Sequence, residues 1–405
     1  MKDLHIVRIC EQFPPAKGGL SLGMLDVSMA QLERGHLVTV ITKACPGDSR
    51  YDETLPFQVL RIRAERNLVF GYKASSKLKD LPYHPDLVHT HGPAALPGIY
   101  WKKKLSIPLI HTLHVLRKYQ FHLYAQLPSI IDDYEKRHNC RVIRKPKFYH
   151  KFSPYAFREV ALEKIICRHA DHILLVASYF SDLVHKYYGV SKKHLTTIYN
   201  GSNFAVENQG DVDTIFKEYQ LSTDNKIILF VGRTEWTKQV HLLVEAMPKV
   251  LETVPESRLL IAGSGDQDQD IAALIRKLNL SDSVRQLGWI SHEKLSFLLK
   301  NASCFCLPSL SEGLSKALLE ALGMDVPIIA SNILSNREVL YNGKWGVLIG
   351  ESDAKSWGKA IIGSIQKKNN NKENVSKVTS LLDKKYRWRH VADRIDTAYR
   401  KVLNV

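Results

Sequence analysis

Short apolar runs recur along the first half of the chain, and each is followed by a turn signal or an amphipathic stretch. The first runs are LHIVRIC and LVTVIT, and they are followed by PDLVHTH, PLIHTLH and HILLVAS. Strands buried on both faces have this nearly continuous apolar pattern, and their alternation with helices is typical of a parallel sheet. The pattern therefore predicts an α/β fold built on a doubly wound parallel sheet.

The alternation stops and later restarts, which indicates two domains. It restarts at KIILFVG and continues with SRLLIAG, SCFCLP and VPIIAS. A chain of 405 residues is also longer than one hydrophobic core usually supports. We predict an N-terminal domain over 1–202, with a basic, aromatic insertion over about 115–154, and a C-terminal domain over 203–385. Residues 386–405 form a last helix, for which packing back towards the N-terminal domain is one option.

The positions of ligands follow from the predicted sheets. In open parallel sheets, ligands bind beyond the carboxyl ends of the strands. Two Rossmann-like sheets that face each other across a central cleft provide a place for one substrate in each domain. The loops after the strands are therefore where functional side chains are expected.

Cellular location is predicted from what the sequence lacks. No apolar run approaches the roughly 18 residues of a membrane-spanning helix, and the start MKDLHIVRIC does not resemble a signal peptide. Six scattered cysteines without a CxxC pair indicate free thiols in a reducing compartment. We expect a cytosolic protein.

The net charge of +16 is concentrated in one segment. Residues 101–170 contain 15 Lys and Arg against 5 Asp and Glu. Such a segment fits an anionic membrane surface, a solvated face or a nucleic acid. We favour the membrane surface and expect no nucleic-acid partner.

The segment PSLSEGLSKALLEALG (308–323) places Glu312 at a strand-to-helix turn and Glu320 eight positions later. We predict that the helix opens at Gly313, so that backbone N–H groups of Gly313, Leu314 and Ser315 can bind a phosphate. Two turns of helix would place both carboxylates on one side. A plain solvated helix is the alternative when the motif is taken alone.

Two further strand ends carry residues suited to a diphosphate. FVGRTEWTKQ places Arg233 and Lys238 after a strand, where Gly232 permits close backbone approach and the two cations can clamp phosphates. AGSGD (262–266) is a tight turn containing Gly263 and Gly265, which can lie flat against a ring. The nearby DQDQD lacks the pattern of a calcium loop.

Together and in this order, VGRTEWTK, AGSG and PSLSEGLSKALLEA resemble the retaining nucleotide-sugar transferases of glycosyltransferase family 4, which have the GT-B architecture. PPAKGG, LERGHLVTVIT, HTHG, HTLH and ADHILLVAS in the first half are also similar to that family. The resemblance covers essentially the whole chain. It departs at Gln239 and Asp325, where the family usually has Gly; Asp tolerates left-handed backbone better than most residues.

The resemblance implies a donor site in the C-terminal domain. Glu312 would contact the donor sugar and Glu320 the ribose, while Arg233 and Lys238 would neutralise the diphosphate. The amides near Leu314 and Ser315 would assist them. Gly263 and Gly265, with LGW (287–289), would flank the base.

It also implies an acceptor side in the N-terminal domain. Gly18 and Gly19 would let backbone approach the donor phosphate and the acceptor, and His114 would contact a hydroxyl of the reacting sugar. His89 and His91 end a strand at the expected cleft, and a functional contact and plain packing both remain open for them. The implied catalytic set is His114, Glu312, Arg233 and Lys238.

The implied chemistry needs neither a protein nucleophile nor a metal or other cofactor. The acceptor attacks on the face from which the diphosphate leaves, and fixed cations stabilise the leaving group. The expected function is a retaining transfer of sugar to a hydroxyl of a glycan or lipid-linked acceptor at the cytoplasmic membrane face, in cell-surface polysaccharide, glycolipid or glycoprotein glycan assembly. A nucleotide-sugar epimerase of the same architecture and a non-catalytic nucleotide-sugar-binding protein are the alternatives.

Overall fold

The computed structural model describes the chain except for residues 1–2, 17, 65–66, 82, 141, 143–153, 203–211, 352 and 368–371. Residues 141 and 143–153 of the predicted insertion therefore lie outside the described residues, and so do residues 203–211, at the predicted start of the C-terminal domain. So does part of the polar segment KKNNNKEN (367–374).

The chain forms two compact units. The first comprises Met1–Tyr119, Pro154–Ser202 and Asp383–Val405, and the second comprises Gln120–Ser153 and Asn203–Leu382. Residues 120–153, which we predicted as part of the N-terminal domain, thus group with the second unit. Residues 386–405 group with the first.

The first unit contains a seven-stranded sheet in the order β3-β2-β1-β4-β5-β6-β7, and all its strand pairs are parallel. Its strands are β1 (His5–Ile9), β2 (Leu37–Lys43), β3 (Gln58–Ile62), β4 (Leu87–His91), β5 (Leu109–Leu113), β6 (His172–Leu175) and β7 (Leu195–Thr197).

The second unit contains a six-stranded parallel sheet in the order β10-β9-β8-β11-β12-β13. Its strands are β8 (Lys226–Val231), β9 (Ser257–Ala262), β10 (Val284–Gly288), β11 (Ala302–Leu307), β12 (Ile328–Ser331) and β13 (Val347–Ile349). The predicted class, two doubly wound parallel α/β domains, is confirmed.

Helices connect the strands in both units. Those before residue 203 are α1 (Gly19–Leu32), α2 (Asp48–Asp52), α3 (Asn67–Ser75), α4 (Leu96–Leu105), α5 (Arg117–Tyr124), α6 (Leu127–His138), α7 (Pro154–His169) and α8 (Phe180–Tyr188). The later ones are α9 (Val212–Glu218), α10 (Val240–Thr253), α11 (Asp268–Lys277), α12 (His292–Lys300), α13 (Lys316–Gly323), α14 (Leu334–Val339), α15 (Ala354–Gln366), α16 (Lys372–Tyr386) and α17 (Trp388–Leu403). Short 3₁₀ turns occupy Ser76–Asp80, Gly92–Ala95, Lys192–His194 and Trp236–Lys238.

The apolar runs become the central strands because both sheet faces are covered. Every residue of β1, β4 and β5 is buried, and so are Cys304 and Cys306, which lie two positions apart on β11. All six cysteines are free, as the sequence predicted. Burial on both faces removes the alternation that a half-exposed strand would show.

The last helix completes the core of the first unit. α17 packs against α1, and its Trp388 side chain is 7% exposed within a cluster that includes Met24 and Ile198. Trp388 Nε1 donates to Asp26 Oδ2 over 3.0 Å, and a Cβ added at Gly201 would lie 2.2 Å from the indole. The C-terminal segment is therefore an integral layer of this unit.

Among the described residues, no helix combines the length and the apolar character that a membrane crossing requires.

Candidate active site

The second unit joins the turns after three neighbouring strands by backbone hydrogen bonds. Gly232 N–H donates to Ala262 O over 2.9 Å, and Gly263 N–H donates to Gly288 O over 2.7 Å. These residues follow or end β8, β9 and β10. The carboxyl ends of the three strands therefore form one continuous rim.

The two glycines of AGSGD are required by the close contact between these turns. A Cβ at Gly263, where φ is +130°, would lie 1.9 Å from Gly232 O. A Cβ at Gly265 would lie 2.5 Å from Thr234 O. Contacts this short exclude any side chain, so the backbone of this turn packs directly on the loop that carries Arg233.

Lys238 and Glu312 form the central ion pair of this rim. Lys238 Nζ lies 2.6 Å from Glu312 Oε1, and their side chains are 18% and 11% exposed. Ser309 Oγ donates to the same carboxylate oxygen over 2.6 Å. The loops are also joined by Leu310 N–H, which donates to Thr237 O over 2.8 Å. The sequence predicted both charged residues here but missed Ser309.

Arg233 makes a separate contact. Its Nη1 lies 2.8 Å from Glu235 Oε1, and its side chain is 71% exposed. The predicted cation pair therefore consists of one exposed guanidinium and one ammonium held by Glu312. Each has its own carboxylate partner.

The helix of the paired-glutamate motif begins later than we predicted. α13 starts at Lys316, and Ser315 is its N-cap, whose hydroxyl accepts from Leu318 N–H over 3.3 Å. The predicted opening at Gly313 is therefore wrong, because the Ser315 side chain caps the helix two residues later. Gly313 and Leu314 lie in the preceding loop.

This correction changes how the two glutamates are related. Glu312 lies in the loop before α13, whereas Glu320 lies within the helix and is 4% exposed. The same-face argument from helical periodicity does not apply to the pair. Glu320 Oε1 instead lies 3.5 Å from His292 Nε2, at the start of α12.

Sequence reasoning missed His292, and it missed the pair formed by Thr234 and Asp268. The Thr234 hydroxyl donates to the Asp268 carboxylate, which also accepts from Gly265 N–H over 3.1 Å. Asp268, the middle aspartate of DQDQD (266–270), thus fixes the turn that contains Gly265. Trp289, in the predicted base-flanking LGW segment, is 54% exposed.

Both departures from the resembled family lie at left-handed backbone positions. Gln239 has φ +46° and Asp325 has φ +56°. This conformation explains why glycine suits both positions, and Asp is among the residues that tolerate it.

The first unit brings the two predicted histidines into contact. His91 ends β4 and His114 follows β5, the adjacent parallel strand. His91 Nδ1 lies 3.0 Å from His114 Nε2, and the rings stack with centroids 5.3 Å apart. Gly18 has φ +142° and precedes α1, which begins at Gly19.

Burial keeps these histidines neutral. Desolvation, reinforced by the nearby Arg8 charge, lowers the pKa of His114 to about 4. Desolvation also holds the pKa values of His89 and His91 well below the usual range. Arg8, which the sequence analysis missed, is a charged residue in the middle of buried β1, and its position inside an apolar run was the available signal.

Within the described part of the chain, no three or more His, Cys, Asp or Glu side chains are grouped so as to hold a metal ion.

Family models match both halves of the chain. A model described as Glycosyltransferase Family 4 matches residues 17–205, and one described as Glycosyl transferases group 1 matches residues 211–379. The two matches together span every strand of the two sheets except β1 (His5–Ile9).

Individual relatives match over most of their length. Glycogen synthase of Mycobacterium tuberculosis is 25% identical over 387 residues, covering 88% of this chain and 85% of that protein. O-antigen chain mannosyltransferase RfbU of Salmonella typhimurium is 25% identical, covering 77% of each chain. The structure of Anabaena HepE in complex with UDP and glucose aligns with a TM-score of 0.75 at 15% identity, covering 98% of this chain and 100% of that one.

Proposed function

Because the chain belongs to glycosyltransferase family 4 and has the GT-B fold, we propose that it moves a sugar from a nucleotide-diphosphate sugar to a hydroxyl of a glycan or lipid-linked acceptor, with retention of anomeric configuration. The observation that carries this proposal is the pair Lys238–Glu312, with 2.6 Å between Nζ and Oε1, on the rim of the second sheet. Ligands of open α/β sheets bind at such rims.

Lys238 and Arg233 are the groups we assign to the donor diphosphate. Arg233 is largely exposed, so phosphate oxygens can replace or join its Glu235 partner without an internal rearrangement. Cations fixed beside a leaving diphosphate stabilise the negative charge that develops as the sugar–phosphate bond breaks. HepE, of the same fold, binds UDP and glucose, which supports a nucleotide-sugar donor here.

Glu312 is suited to orienting the sugar rather than attacking it. Its Oε1 accepts from both Lys238 and Ser309, each over 2.6 Å, and these bonds reduce the nucleophilicity of that oxygen. We assign Glu312 to the donor-sugar hydroxyls and Glu320 to the ribose. In this mechanism a donor phosphate oxygen takes the acceptor proton, and no protein nucleophile and no metal or other cofactor takes part.

The biological role we propose is assembly of cell-surface polysaccharide, glycolipid or glycoprotein glycan at the cytoplasmic face of the membrane. Two relatives are named for polysaccharide products, glycogen and O-antigen. The helices α3 and α4 pack together and expose Tyr72 and Tyr100, and Lys103 and Lys104 of α4 are exposed beside Tyr100. Aromatic rings next to cations suit an anionic membrane surface.

The donor is tested with a thermal-shift panel of UDP-, GDP- and ADP-sugars on the wild type and on Lys238→Met. A ligand at 100 times its dissociation constant adds about 2.7 kcal/mol to the unfolding free energy. We expect one nucleotide class to stabilise the wild type and to lose most of that effect in the variant. If no sugar nucleotide stabilised the wild type, the chain would not bind a donor, and the proposed transfer would be refuted.

Product analysis separates transfer from epimerisation. With the stabilising donor and candidate acceptors, we expect acceptor-dependent product whose anomeric configuration, measured by NMR coupling constants, equals that of the donor. Conversion of the donor to an isomer without acceptor would indicate the epimerase, and an inverted product would exclude retention.

Membrane contact is tested by sedimentation with liposomes. Binding to vesicles containing phosphatidylglycerol, but not to neutral phosphatidylcholine vesicles, is expected, and Lys103→Glu/Lys104→Glu should abolish it. The control Lys249→Glu/Lys300→Glu changes the charge equally at exposed positions of the second unit. Equal losses in both double variants would show a nonspecific charge effect.

A further inference from the structure

A buried arginine lies at the centre of the histidine cluster in the first unit. Arg8 is 0% exposed and donates through Nε to Ser28 Oγ over 3.0 Å. Its Nη2 donates to Gln31 Oε1. Both partners lie on α1, so the helix that begins at Gly19 fixes the orientation of the guanidinium.

The remaining nitrogen of Arg8 faces two histidines. Nη1 lies 3.0 Å from His91 Nε2 and 3.3 Å from His89 Nδ1. A guanidinium can only donate and does not lose its proton in proteins. Both ring nitrogens must therefore accept, so the protons of the two neutral rings lie on His91 Nδ1 and His89 Nε2.

The surroundings of His89 agree with this assignment. His89 Nε2 lies 2.6 Å from Thr112 Oγ1, which can accept its proton. The Tyr399 hydroxyl lies 2.5 Å from His89 Nδ1, to which it can donate. His89 Nδ1 then accepts from both Tyr399 and Arg8 through its one lone pair, with the shorter contact to Tyr399, while Nε2 donates to Thr112.

The same logic passes from His91 to His114. His91 Nδ1, which carries the proton, lies 3.0 Å from His114 Nε2. His114 Nε2 must therefore accept, and because the ring is neutral its own proton lies on Nδ1. Burial and the Arg8 charge, which lower the pKa of His114 to about 4, oppose a second proton on this ring at neutral pH.

His114 Nδ1 has no solvent exposure and no hydrogen-bond partner among the described residues. Leaving a buried N–H unpaired costs about 1–3 kcal/mol, so such a group points to a ligand or a bound water. His114 also helps to line a cavity of about 20 Å³, which has room for one water or one hydroxyl group but not for a whole sugar ring.

We propose that Arg8 is a positioning residue which, through His91, fixes His114 in the tautomer that presents Nδ1–H as a hydrogen-bond donor to an oxygen of the reacting sugar. This inference rests on the proposed function, since it names the sugar as the partner of His114. It makes His114 a donor and not a proton acceptor, so the residue binds a hydroxyl oxygen and does not act as a general base through Nδ1.

Histidine-ring NMR of the substrate-free protein tests the tautomers without any assay of activity. In protein labelled with ¹⁵N-histidine, long-range ¹H–¹⁵N correlations should show the proton on Nδ1 for His91 and His114 and on Nε2 for His89. Finding the proton of His114 on Nε2, or finding a charged ring at neutral pH, would overturn the proposal even if the enzyme proved to be an active transferase.

Variants test whether Arg8 determines the tautomers of His91 and His114. Arg8→Met should shift His91 and His114 to mixed tautomers, and Arg8→Lys should restore the wild-type pattern because an ammonium also only donates. Tyr399→Phe is the control, since it removes a hydroxyl that hydrogen-bonds to His89, Gln31 and Arg8 but leaves the Arg8–His91 contact. Unchanged tautomers in Arg8→Met would refute the positioning role; if that variant does not fold, a wild-type spectrum with the proton of His91 or His114 on Nε2 would still refute it.

Kinetics test the sugar contact. We expect kcat/KM to fall about tenfold or more in Arg8→Met, with partial recovery in Arg8→Lys, and about tenfold in His114→Leu, with recovery in His114→Asn, which retains an N–H donor. Donor analogues that lack single sugar hydroxyls should identify one position whose removal costs the wild type at least about tenfold but leaves His114→Leu unaffected. If every analogue lost the same factor in both proteins, His114 would face water instead of the sugar.

Discussion

The polar groups of the two units are arranged in opposite ways. In the second unit, Arg233 is 71% exposed and the Lys238 and Glu312 side chains keep 18% and 11% of their surface. In the first unit, Arg8 and His89 are 0% exposed and are joined to each other and to neighbouring polar groups. One site can exchange ion-pair partners, whereas the other holds a fixed hydrogen-bond pattern.

Under the proposed function, this difference suits the two groups of residues to two different tasks. Binding a charged leaving group requires charges that remain near water, because an unpaired charge deep in a protein is too costly before the ligand arrives. Recognising a neutral hydroxyl requires a donor of known direction, which buried partners provide. In our proposal the buried network fixes that direction, and burial keeps its histidines neutral by lowering their pKa values.

The largest expected effect is that mild acid destabilises the first unit before the second. Burial lowers the pKa of His111 to about 3 and those of His114 and His172 to about 4, all in the first unit, while in the second it lowers the pKa of His241 to about 3. Below about pH 6.5 the unfolded chain binds protons that the folded unit excludes, so each histidine costs roughly 1 kcal/mol of stability per pH unit as pH falls.

Hydrogen exchange followed by mass spectrometry at about pH 7 and about pH 5, corrected for intrinsic rates, measures this difference.

Glu163 acts in the opposite direction, since burial raises its pKa to about 7 and its protonation therefore stabilises the fold as pH falls towards 4.5. Glu163→Gln should consequently lose stability faster on acidification than the wild type. Earlier loss of protection in the second sheet would contradict the comparison.

Lys238→Met should lower kcat/KM about 100-fold, equivalent to about 2.7 kcal/mol, because the leaving diphosphate loses its fixed ammonium. Steady-state kinetics with saturating acceptor measure this loss. Lys249→Met is the control, since Lys249 pairs with Glu252 over 2.7 Å on α10 and both side chains are about two-thirds exposed. Comparable losses in the two variants would remove Lys238 from the diphosphate site.

Glu320→Ala should lower kcat/KM about tenfold, or about 1.4 kcal/mol, mainly through a higher KM for the donor, because we assign this buried carboxylate to the ribose. A donor with 2′-deoxyribose or 3′-deoxyribose should lose little further affinity in the variant. If the variant and the wild type lost equal affinity for both deoxy donors, Glu320 would not contact the ribose.

Tyr399→Phe should produce the smallest effect, about 1 kcal/mol of unfolding free energy, because it removes a single hydroxyl that hydrogen-bonds to His89, Gln31 and Arg8 within the buried cluster. Urea denaturation measures it, and Tyr72→Phe, at a position 83% exposed, should change stability by less. Activity should remain within about twofold of the wild type. A large loss of activity without a loss of stability would mean that this cluster acts in the chemistry itself.

Predictions from local patterns were the accurate ones. The last helix, which the sequence predicted within 386–405, occurs as α17 over Trp388–Leu403. Lys238 and Glu312 were expected at strand ends, and the structure brings them together. The predicted start of α13 was wrong, because glycine and serine both suit helix starts. Only the hydrogen bond from Leu318 N–H to Ser315 Oγ shows that Ser315 is the N-cap.

Long-range partners were beyond sequence reasoning. Arg8 and His91 are 83 positions apart, and His89 and Tyr399 are 310 apart. Nothing in the local pattern of either segment encodes such a pairing. Likewise, the basic character of residues 120–153 said nothing about the unit with which they group, which depends on contacts such as that of Arg137 with Glu245.

The sequence by itself determined the two parallel sheets, the loops that carry the charged residues and the family, because hydrophobic periodicity and turn chemistry act over a few neighbouring residues. Only the tertiary structure decided which side chains meet and which histidines have lowered pKa values. Those properties depend on burial and on hydrogen-bond partners supplied by strands and helices far apart in the chain.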